Sequence, residues 1–212
     1  MLILASGSPR RRELLASAGV DCTVLRVDID ETPSAGELPT DYIARMVSAK
    51  AKAAVQALQS DPSLLKISET AEDTQIVLTA DTIGVLPDGR SVLIKPEDKA
   101  DAFAMWQQMS GVNHQIWTAV QATQVKKAAD DTITVTNTVN ILEKTDVQFV
   151  ALDDAMMERY WQSGEPQDKA GGYAIQGGAA AWVARIDGSY TNVVGLPLAQ
   201  TLTLLQQLGH QV

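Results

Sequence analysis

Three consecutive arginines, Arg10–Arg12, follow the sequence Gly7-Ser8-Pro9 close to the start of the chain. Gly7 permits a tight turn, Ser8 is a preferred N-cap, and Pro9 suits the first position of a helix, so a helix is predicted to begin here. Cations are unfavourable at this positively polarised end of a helix. Free backbone N–H groups and clustered guanidinium groups together bind phosphate well. The segment therefore favours a phosphate site, and the alternative is a solvent-exposed basic turn.

A single acidic residue, Asp81, lies within the apolar run Ile76–Leu86, which is predicted to form a buried strand. A buried carboxylate is costly unless it is paired or coordinates a metal. The turn sequence Pro87–Arg90 predicts a hairpin with a returning strand at Ser91–Lys95, and its register places Lys95 beside Asp81. Asp81 is therefore either a chemically active carboxylate or the acidic half of a structural salt bridge with Lys95.

Two further charged residues could join this acid. Lys50 falls in the apolar stripe of a helix predicted over Asp41–Leu58, with Thr40 or Asp41 as its cap. A lysine on that face must extend to solvent, pair with an acid or reach a ligand. Glu31 lies in the polar loop before this helix, and it becomes a candidate only if the loop folds over the arginine end of the first helix.

The glycine-rich stretch Asp168–Gly178 carries a possible base-recognition residue, Gln176. The glycines allow close approach of the backbone to a ligand. The amide of Gln176 offers one donor group and one acceptor, which match the adjacent carbonyl and imino N–H of uracil or thymine. The alternative is a turn-rich connection. Neither a GxxxxGK[ST] nor a GxGxxG motif occurs, which argues against the common kinase-like and dinucleotide-binding classes.

The composition narrows the class of protein further. A length of 212 residues fits one domain, or one domain with two lobes, and a net charge of −9 argues against binding to a nucleic-acid polymer. The single cysteine, Cys22, excludes an internal disulfide, and two histidines argue against a multi-histidine metal site. We find no apolar run of membrane-spanning length and no signal-peptide pattern, so a cytoplasmic location and no membrane partner are expected.

Helical and strand patterns alternate along the chain, which predicts an α/β fold with a mixed sheet. The predicted helices cover Pro9–Ala18, Asp41–Leu58, a segment from Glu97 or Asp98 to Met109, Asp153–Ser163, and a last segment from Pro197 to Gly209. The predicted strands are Met1–Ala5, Val20–Ile29, Ile76–Leu86, Ser91–Lys95, Ile116–Val125, Thr132–Leu142, Asp146–Val150 and Ala181–Ile186.

These residues together resemble the Maf family of nucleoside triphosphate pyrophosphatases. The matching segments occur in the family's order: Leu4–Arg12, Arg45 with Lys50, Ala80–Thr82, Lys95-Pro96, Ser110-Gly111 with His114, Thr118–Val120, Asp168–Gly171, Ile175–Gly177 and Val194–Pro197. The one departure from the family's pattern is a longer polar stretch at Asp61–Asp73.

The resemblance implies a mixed, twisted sheet with flanking helices, arranged as two lobes around a central cleft as in the inosine-triphosphate pyrophosphatases. Residues 1–212 would form a single domain without a separate linker. It also implies a homodimer and a divalent metal cofactor, Mg²⁺ or Mn²⁺.

The resemblance also implies roles for individual residues. Asp81 would be the proton acceptor, with Lys50 and Lys95 beside it in the catalytic site and Glu31 as its partner in metal binding. Ser6, Arg10 and Arg11 would join these residues around the phosphates. Arg10, Thr82 and Gln176 match the dTTP/UTP subgroup, whereas the 7-methyl-GTP subgroup tends to carry Trp, Gln and Glu at those positions.

The expected reaction is hydrolysis of dTTP and UTP to the monophosphate and pyrophosphate, in nucleotide-pool cleaning or in arrest of septum formation and division. One rival is a sibling enzyme that acts on a modified or purine nucleotide. The other is a regulator that binds nucleotide without turnover.

Overall fold

The structure is a computed structural model that describes residues 1–65, 74–128 and 130–211, and at Asp168 the backbone alone. Residues 66–73, which make up most of the polar stretch noted above, lie outside the described residues.

The strands are β1 (Leu2–Leu4), β2 (Cys22–Val24), β3 (Thr74–Val85), β4 (Val92–Leu93), β5 (Asn113–Lys127), β6 (Ile133–Phe149) and β7 (Val183–Asp187). The helices are α1 (Pro9–Ser17), α2 (Pro39–Ser60), α3 (Lys99–Met109), α4 (Asp154–Gln162), α5 (Tyr190–Val194) and α6 (Leu198–Gln207). Short 3₁₀ turns cover Pro62–Leu64, Glu165–Asp168, Ala170–Gly172 and Gly178–Trp182.

The seven strands form one mixed sheet in the order β2-β1-β3-β5-β6-β7, with β4 also paired to β3. Strand β1 runs parallel to β2 and β3, whereas the remaining pairs are antiparallel. The predicted α/β class, a mixed sheet with flanking helices, is confirmed. None of the helices in the described ranges is long and apolar enough to cross a membrane.

Alternation along β3 decides which residues face which layer, because successive side chains of a strand point to opposite sides. Leu78 and Ala80 pack in a buried cluster with Leu204 of α6. Ile83 packs instead against Val47 of α2. Asp81 therefore faces α2, and Thr82 faces the layer that holds α1, α5 and α6.

A second buried cluster forms the other lobe and is rich in aromatic rings. Trp106 of α3 contacts Tyr160 of α4 and Trp182, with ring centroids 5.6 and 5.1 Å apart. Phe149 at the end of β6 packs against Trp182 and Tyr173. Aromatic pairs at these separations stabilise a core beyond their buried area. This cluster fixes the segment 173–177, which forms one wall of the cleft.

Several predicted strand limits are wrong. The strand expected at Val20–Ile29 covers only Cys22–Val24, because its partner β1 is itself three residues long. The segments Thr132–Leu142 and Asp146–Val150 form one continuous strand, since β5 pairs along nearly all of it. Ala181 and Trp182 lie in a 3₁₀ turn, so the last strand begins at Val183.

The predicted helices are found with small shifts, and the short α5 was not predicted. Ser8 is the N-cap residue of α1, but its side chain makes no capping bond. Helix α2 begins at Pro39 after Leu38, so the expected cap at Thr40 or Asp41 is wrong. Asp98 does cap α3 by accepting a hydrogen bond from the Asp101 N–H.

Candidate functional site

The guanidinium of Arg11 ties the first turn of α1 to the sheet and to α5. Nε donates to the Gly195 carbonyl at 2.8 Å, and the terminal nitrogens donate to Ser6 Oγ at 3.1 Å and Thr82 Oγ1 at 3.0 Å. Burial lowers the pKa of Arg11, and the charge of Asp81 opposes that change. Three hydrogen bonds thus hold the positive charge of Arg11 in a fixed position beside β3 and α5.

Arg11 borders a cavity of about 460 Å³ between the two lobes. Arg10, Lys95 and Thr82 line the same cavity, together with the backbone around Gly195. Within the described part of the chain, Arg10 and Lys95 form no ion pair. The α1 end of this cavity is therefore positively charged and suited to an anion.

Asp81 forms an ion pair with Lys50 from α2 rather than with Lys95. Lys50 Nζ lies 2.5 Å from Asp81 Oδ1 and 2.8 Å from Glu31 Oε1. The side chains of Lys50 and Asp81 are each 13% exposed, so both charges are largely removed from water. One lysine thus joins two carboxylates that come from β3 and from the loop before α2.

The loop that carries Glu31 is fastened to α2 by two residues. Arg45 forms a two-pronged ion pair with Glu37, and it also donates to the Thr32 carbonyl at 3.0 Å. The Tyr42 hydroxyl donates to the Glu31 carbonyl at 2.9 Å. These bonds hold the loop over Lys50, so Glu31 joins the site through α2, whereas the sequence had suggested that it would do so through the arginine end of α1.

Local electrostatics keep Glu31 ionised. Burial alone would raise the pKa of Glu31, but the hydrogen bond and charge of Lys50, with the charges of Lys95 and Arg11, bring it below its usual value. Burial, together with the charges of Asp81 and Glu31, raises the pKa of Tyr42 to about 12. Tyr42 therefore acts as a neutral hydrogen-bond donor at physiological pH.

The carboxylates of Asp81 and Glu31 fit a divalent cation whose coordination shell is completed by the phosphate oxygens of a bound ligand. Mg²⁺ is commonly held by one or two protein carboxylates plus substrate phosphates and waters. Asp81 and Glu31 already converge on one cationic atom, Lys50 Nζ. In the described ranges no group of three or more acidic, histidine or cysteine side chains could hold a metal on its own. These residues are thus compatible with a metal whose remaining ligands come from the substrate.

The carboxylates and the cavity lie on opposite faces of β3 and meet at its open edge. Strand β1 pairs with β3 as far as Leu78, and β4 begins its pairing at Gly84. Between these points no described strand pairs with that side of β3. Thr82 reaches the cavity face and contacts Thr118 Oγ1 at 2.9 Å, whereas Asp81 reaches the α2 face. A ligand at the open edge could contact both sets of residues.

The predicted hairpin register is correct where the strands pair, but Lys95 does not reach Asp81. Val85 pairs with Val92 and Gly84 with Leu93, and the ladder ends there. The Ile94 carbonyl accepts instead from the Gly171 N–H, which leads the chain away from β3. The expected Lys95–Asp81 pair is therefore wrong, and Lys95 stays in the site as a cation on the cavity wall.

Gln176 also lines the cavity, and its side chain is exposed. Tyr173 and Ile175, its neighbours in the chain, are buried and give the cavity an apolar wall. Sequence reasoning missed Glu165, which also lines the cavity. It lies outside the glycine-rich stretch, and no local pattern distinguished it from a surface glutamate.

The fold and this cleft define an α/β protein with a cationic pocket beside paired carboxylates, suited to a phosphorylated ligand. The family model described as Maf-like protein matches residues 1–208, and the chain belongs to this family.

Named relatives match over nearly the full length of the chain. A dTTP/UTP pyrophosphatase of Psychrobacter arcticus is 56% identical over 98% of this chain and 94% of its own length. A dTTP/UTP pyrophosphatase of Pseudoalteromonas atlantica is 45% identical over 99% of this chain and 97% of its own length. The solved structure of the Staphylococcus aureus Ham1 protein aligns with 70% of this chain and 71% of that chain, with a TM-score of 0.39 and 11% identity.

Proposed function

We propose that this chain hydrolyses dTTP and UTP to the nucleoside monophosphate and pyrophosphate. The observation that carries the proposal is the pairing of Asp81 and Glu31 on Lys50 beside a cavity walled by Arg10, Arg11 and Lys95. The names of full-length relatives at 45–56% identity support the same activity.

The triphosphate would bind with its charge at the α1 end of the cavity. Arg10 and Lys95 have no ion-pair partner in the described ranges and are available to phosphate oxygens. Arg11 spends three N–H groups on the protein, so it contributes a fixed charge and its two remaining N–H groups. Charges fixed before the substrate arrives stabilise a transition state without reorganisation.

Asp81 would accept the proton of the attacking water. Its Oδ1 holds Lys50, and its Oδ2 has no hydrogen-bond partner among the described residues. Oδ2 is therefore the oxygen proposed to orient the water for attack at the α-phosphorus, with pyrophosphate as the leaving group. Lys50 holds Oδ1 of Asp81 in place and offsets negative charge that develops on the phosphate.

Asp81 and Glu31 would hold the proposed Mg²⁺ or Mn²⁺. When bound, this metal would neutralise phosphate charge and polarise a phosphoryl oxygen.

Gln176 would read the pyrimidine edge, with Arg10 and Thr82 helping to select the base. The family resemblance further supports a homodimer and a role in pool cleaning or division arrest, and we propose these on that basis alone. A cytoplasmic location is proposed because a single cysteine suits a reducing compartment.

The test is a panel of dTTP, UTP, CTP, GTP, dATP and 7-methyl-GTP, assayed for pyrophosphate release with Mg²⁺ and with Mn²⁺. We expect release from dTTP and UTP above all others. A preference for 7-methyl-GTP would assign the sibling activity instead. Tight nucleotide binding with no pyrophosphate would favour the regulator.

A further inference from the structure

Glu165 is fastened to the segment that carries the proposed base-reading residue. Its Oε2 accepts a hydrogen bond from the Gly178 N–H at 2.8 Å. Among the described residues, its Oε1 has no hydrogen-bond partner. Glu165 lines the same cavity as Gln176, although eleven positions separate the two residues in the sequence.

The Glu165 carboxylate occupies the space that a side chain at position 177 would fill. A Cβ placed on Gly177 would lie within 1.5 Å of Glu165 Oε1 and 2.3 Å of its Cδ. The backbone of Gly177 is extended, so a side chain there would not strain the backbone but would force the Glu165 carboxylate to move aside. The carboxylate therefore lies directly against the backbone that follows Gln176.

The other side of the segment is fixed by α4. The Ala174 N–H donates to the Tyr160 hydroxyl at 3.0 Å, and a Cβ on Gly178 would lie 3.1 Å from the Tyr160 ring. Glu165 and Tyr160 thus bracket Gln176 from both directions along the chain. Gln176 itself makes no hydrogen bond within the described chain, so its position depends on the backbone that these two residues hold.

From this geometry we infer that Glu165 is a positioning residue for base selection: it holds the backbone at 177–178 so that the Gln176 amide meets the pyrimidine edge. The inference rests on the proposed function, because it assumes that Gln176 reads the base. Glu165 acts through the backbone beside the base, so its loss lowers the base selectivity and leaves the chemical step unchanged.

The test compares UTP with the triphosphate of pyrimidin-2-one riboside, which shares the ribose, phosphates and ring of UTP but lacks the 4-carbonyl and the N3–H that the Gln176 amide would bond. CTP is unsuitable as the reference, because an amide that is free to turn over can also pair with the N3 and the 4-amino group of cytosine. We expect Glu165→Ala to lower the ratio of kcat/KM for UTP to kcat/KM for this analogue by about tenfold or more, the scale of a hydrogen bond lost from a binding site. The loss appears mainly as a higher KM for UTP. Glu165→Gln keeps an acceptor for the Gly178 N–H and retains most of the ratio.

Two double variants separate positioning from general damage. Adding Glu165→Ala to Gln176→Ala lowers the ratio no further, because both changes remove the same contact. Gly177→Ala lowers the ratio in the unsubstituted chain, but it adds little in the Glu165→Ala background, where the space for its Cβ has been vacated. The matched control is Glu158→Ala on the exposed face of α4, where Glu158 pairs with Lys99 away from the cavity.

An unchanged ratio in Glu165→Ala, with a lowered ratio in Gln176→Ala, overturns this inference and leaves the proposed function standing. Full additivity in the double variant also overturns it. An unchanged ratio in Gln176→Ala overturns base reading by Gln176 and this inference with it. If Glu165→Ala does not fold, the pair Gly177→Ala and Glu165→Gln decides the question: a lowered ratio only in Gly177→Ala supports positioning, and equal ratios contradict it.

Discussion

Replacing Asp81 with asparagine separates the chemistry of the site from its architecture. Asparagine keeps the size and one acceptor oxygen of the side chain, but it cannot take a proton from water at neutral pH. Removal of one positioned general base typically costs about 10²–10⁴-fold in rate. We therefore expect Asp81→Asn to lower kcat for pyrophosphate release from dTTP by a factor of at least about 10².

The cost in stability should be much smaller. Removing one partner of a buried ion pair can cost about 3–5 kcal/mol when the other charge is left alone. Lys50 is not left alone, because Glu31 Oε1 lies 2.8 Å from its Nζ and the new amide oxygen can still accept. We therefore expect the free energy of unfolding to fall by only about 1–2 kcal/mol, the scale of a weakened hydrogen bond to a charged group.

The assay pairs pyrophosphate release with urea unfolding of the same preparations. The control is Asp187→Asn: Asp187 is also in an ion pair, with Arg185, but its side chain is 68% exposed and lies outside the cavity. The control should keep full activity and nearly full stability. Turnover by Asp81→Asn within tenfold of the unsubstituted chain would refute the role of Asp81 as proton acceptor.

Three other predictions concern the cation at α1, a buried histidine and the metal. Arg11→Lys keeps the charge, but a lysine cannot bond Ser6, Thr82 and the Gly195 carbonyl at once. KM for dTTP should therefore rise, and the free energy of unfolding should fall by about 1–3 kcal/mol. Unchanged values of both would contradict the hydrogen-bonded role of Arg11. Burial lowers the pKa of His114 from 6.5 to about 4, so as the pH falls the unfolded chain binds a proton at this residue before the folded chain does. About 3 kcal/mol of the free energy of unfolding should therefore be lost between pH 6.5 and pH 4. Urea unfolding of the unsubstituted chain and of His114→Gln should diverge over this pH range, and parallel pH dependences would contradict the prediction. Chelation of the metal with EDTA should abolish turnover without lowering the melting temperature, since Lys50 still links the carboxylates of Asp81 and Glu31. A large drop in melting temperature would instead point to a structural metal.

The sequence located the charged residues of the site better than it paired them. Asp81 was identifiable because an acid within an apolar strand needs a partner, and Lys50 because it interrupts an apolar helical stripe. Their mutual contact was not identifiable, because it depends on how α2 packs across β3. Sequence register suggested Lys95 instead, and that register holds only as far as Leu93. The bond from the Gly171 N–H to the Ile94 carbonyl, which redirects the chain, joins segments 77 positions apart.

The same distinction between local and long-range information applies to the fold. The apolar periodicity located α2 and β3 within a few residues, because both patterns are local. The length of β2 was overestimated, since an edge strand extends only as far as its partner β1 allows. Glu165 was missed for a similar reason: its contact with Gly178 joins residues 13 positions apart, which only the packed aromatic lobe brings together.

The most direct test of the central claim, water attack at the α-phosphorus with pyrophosphate as the leaving group, is hydrolysis of dTTP in ¹⁸O-labelled water with mass analysis of both products. We predict one ¹⁸O atom in the thymidine monophosphate and none in the pyrophosphate. Label in the pyrophosphate, or release of inorganic phosphate with thymidine diphosphate, would contradict it.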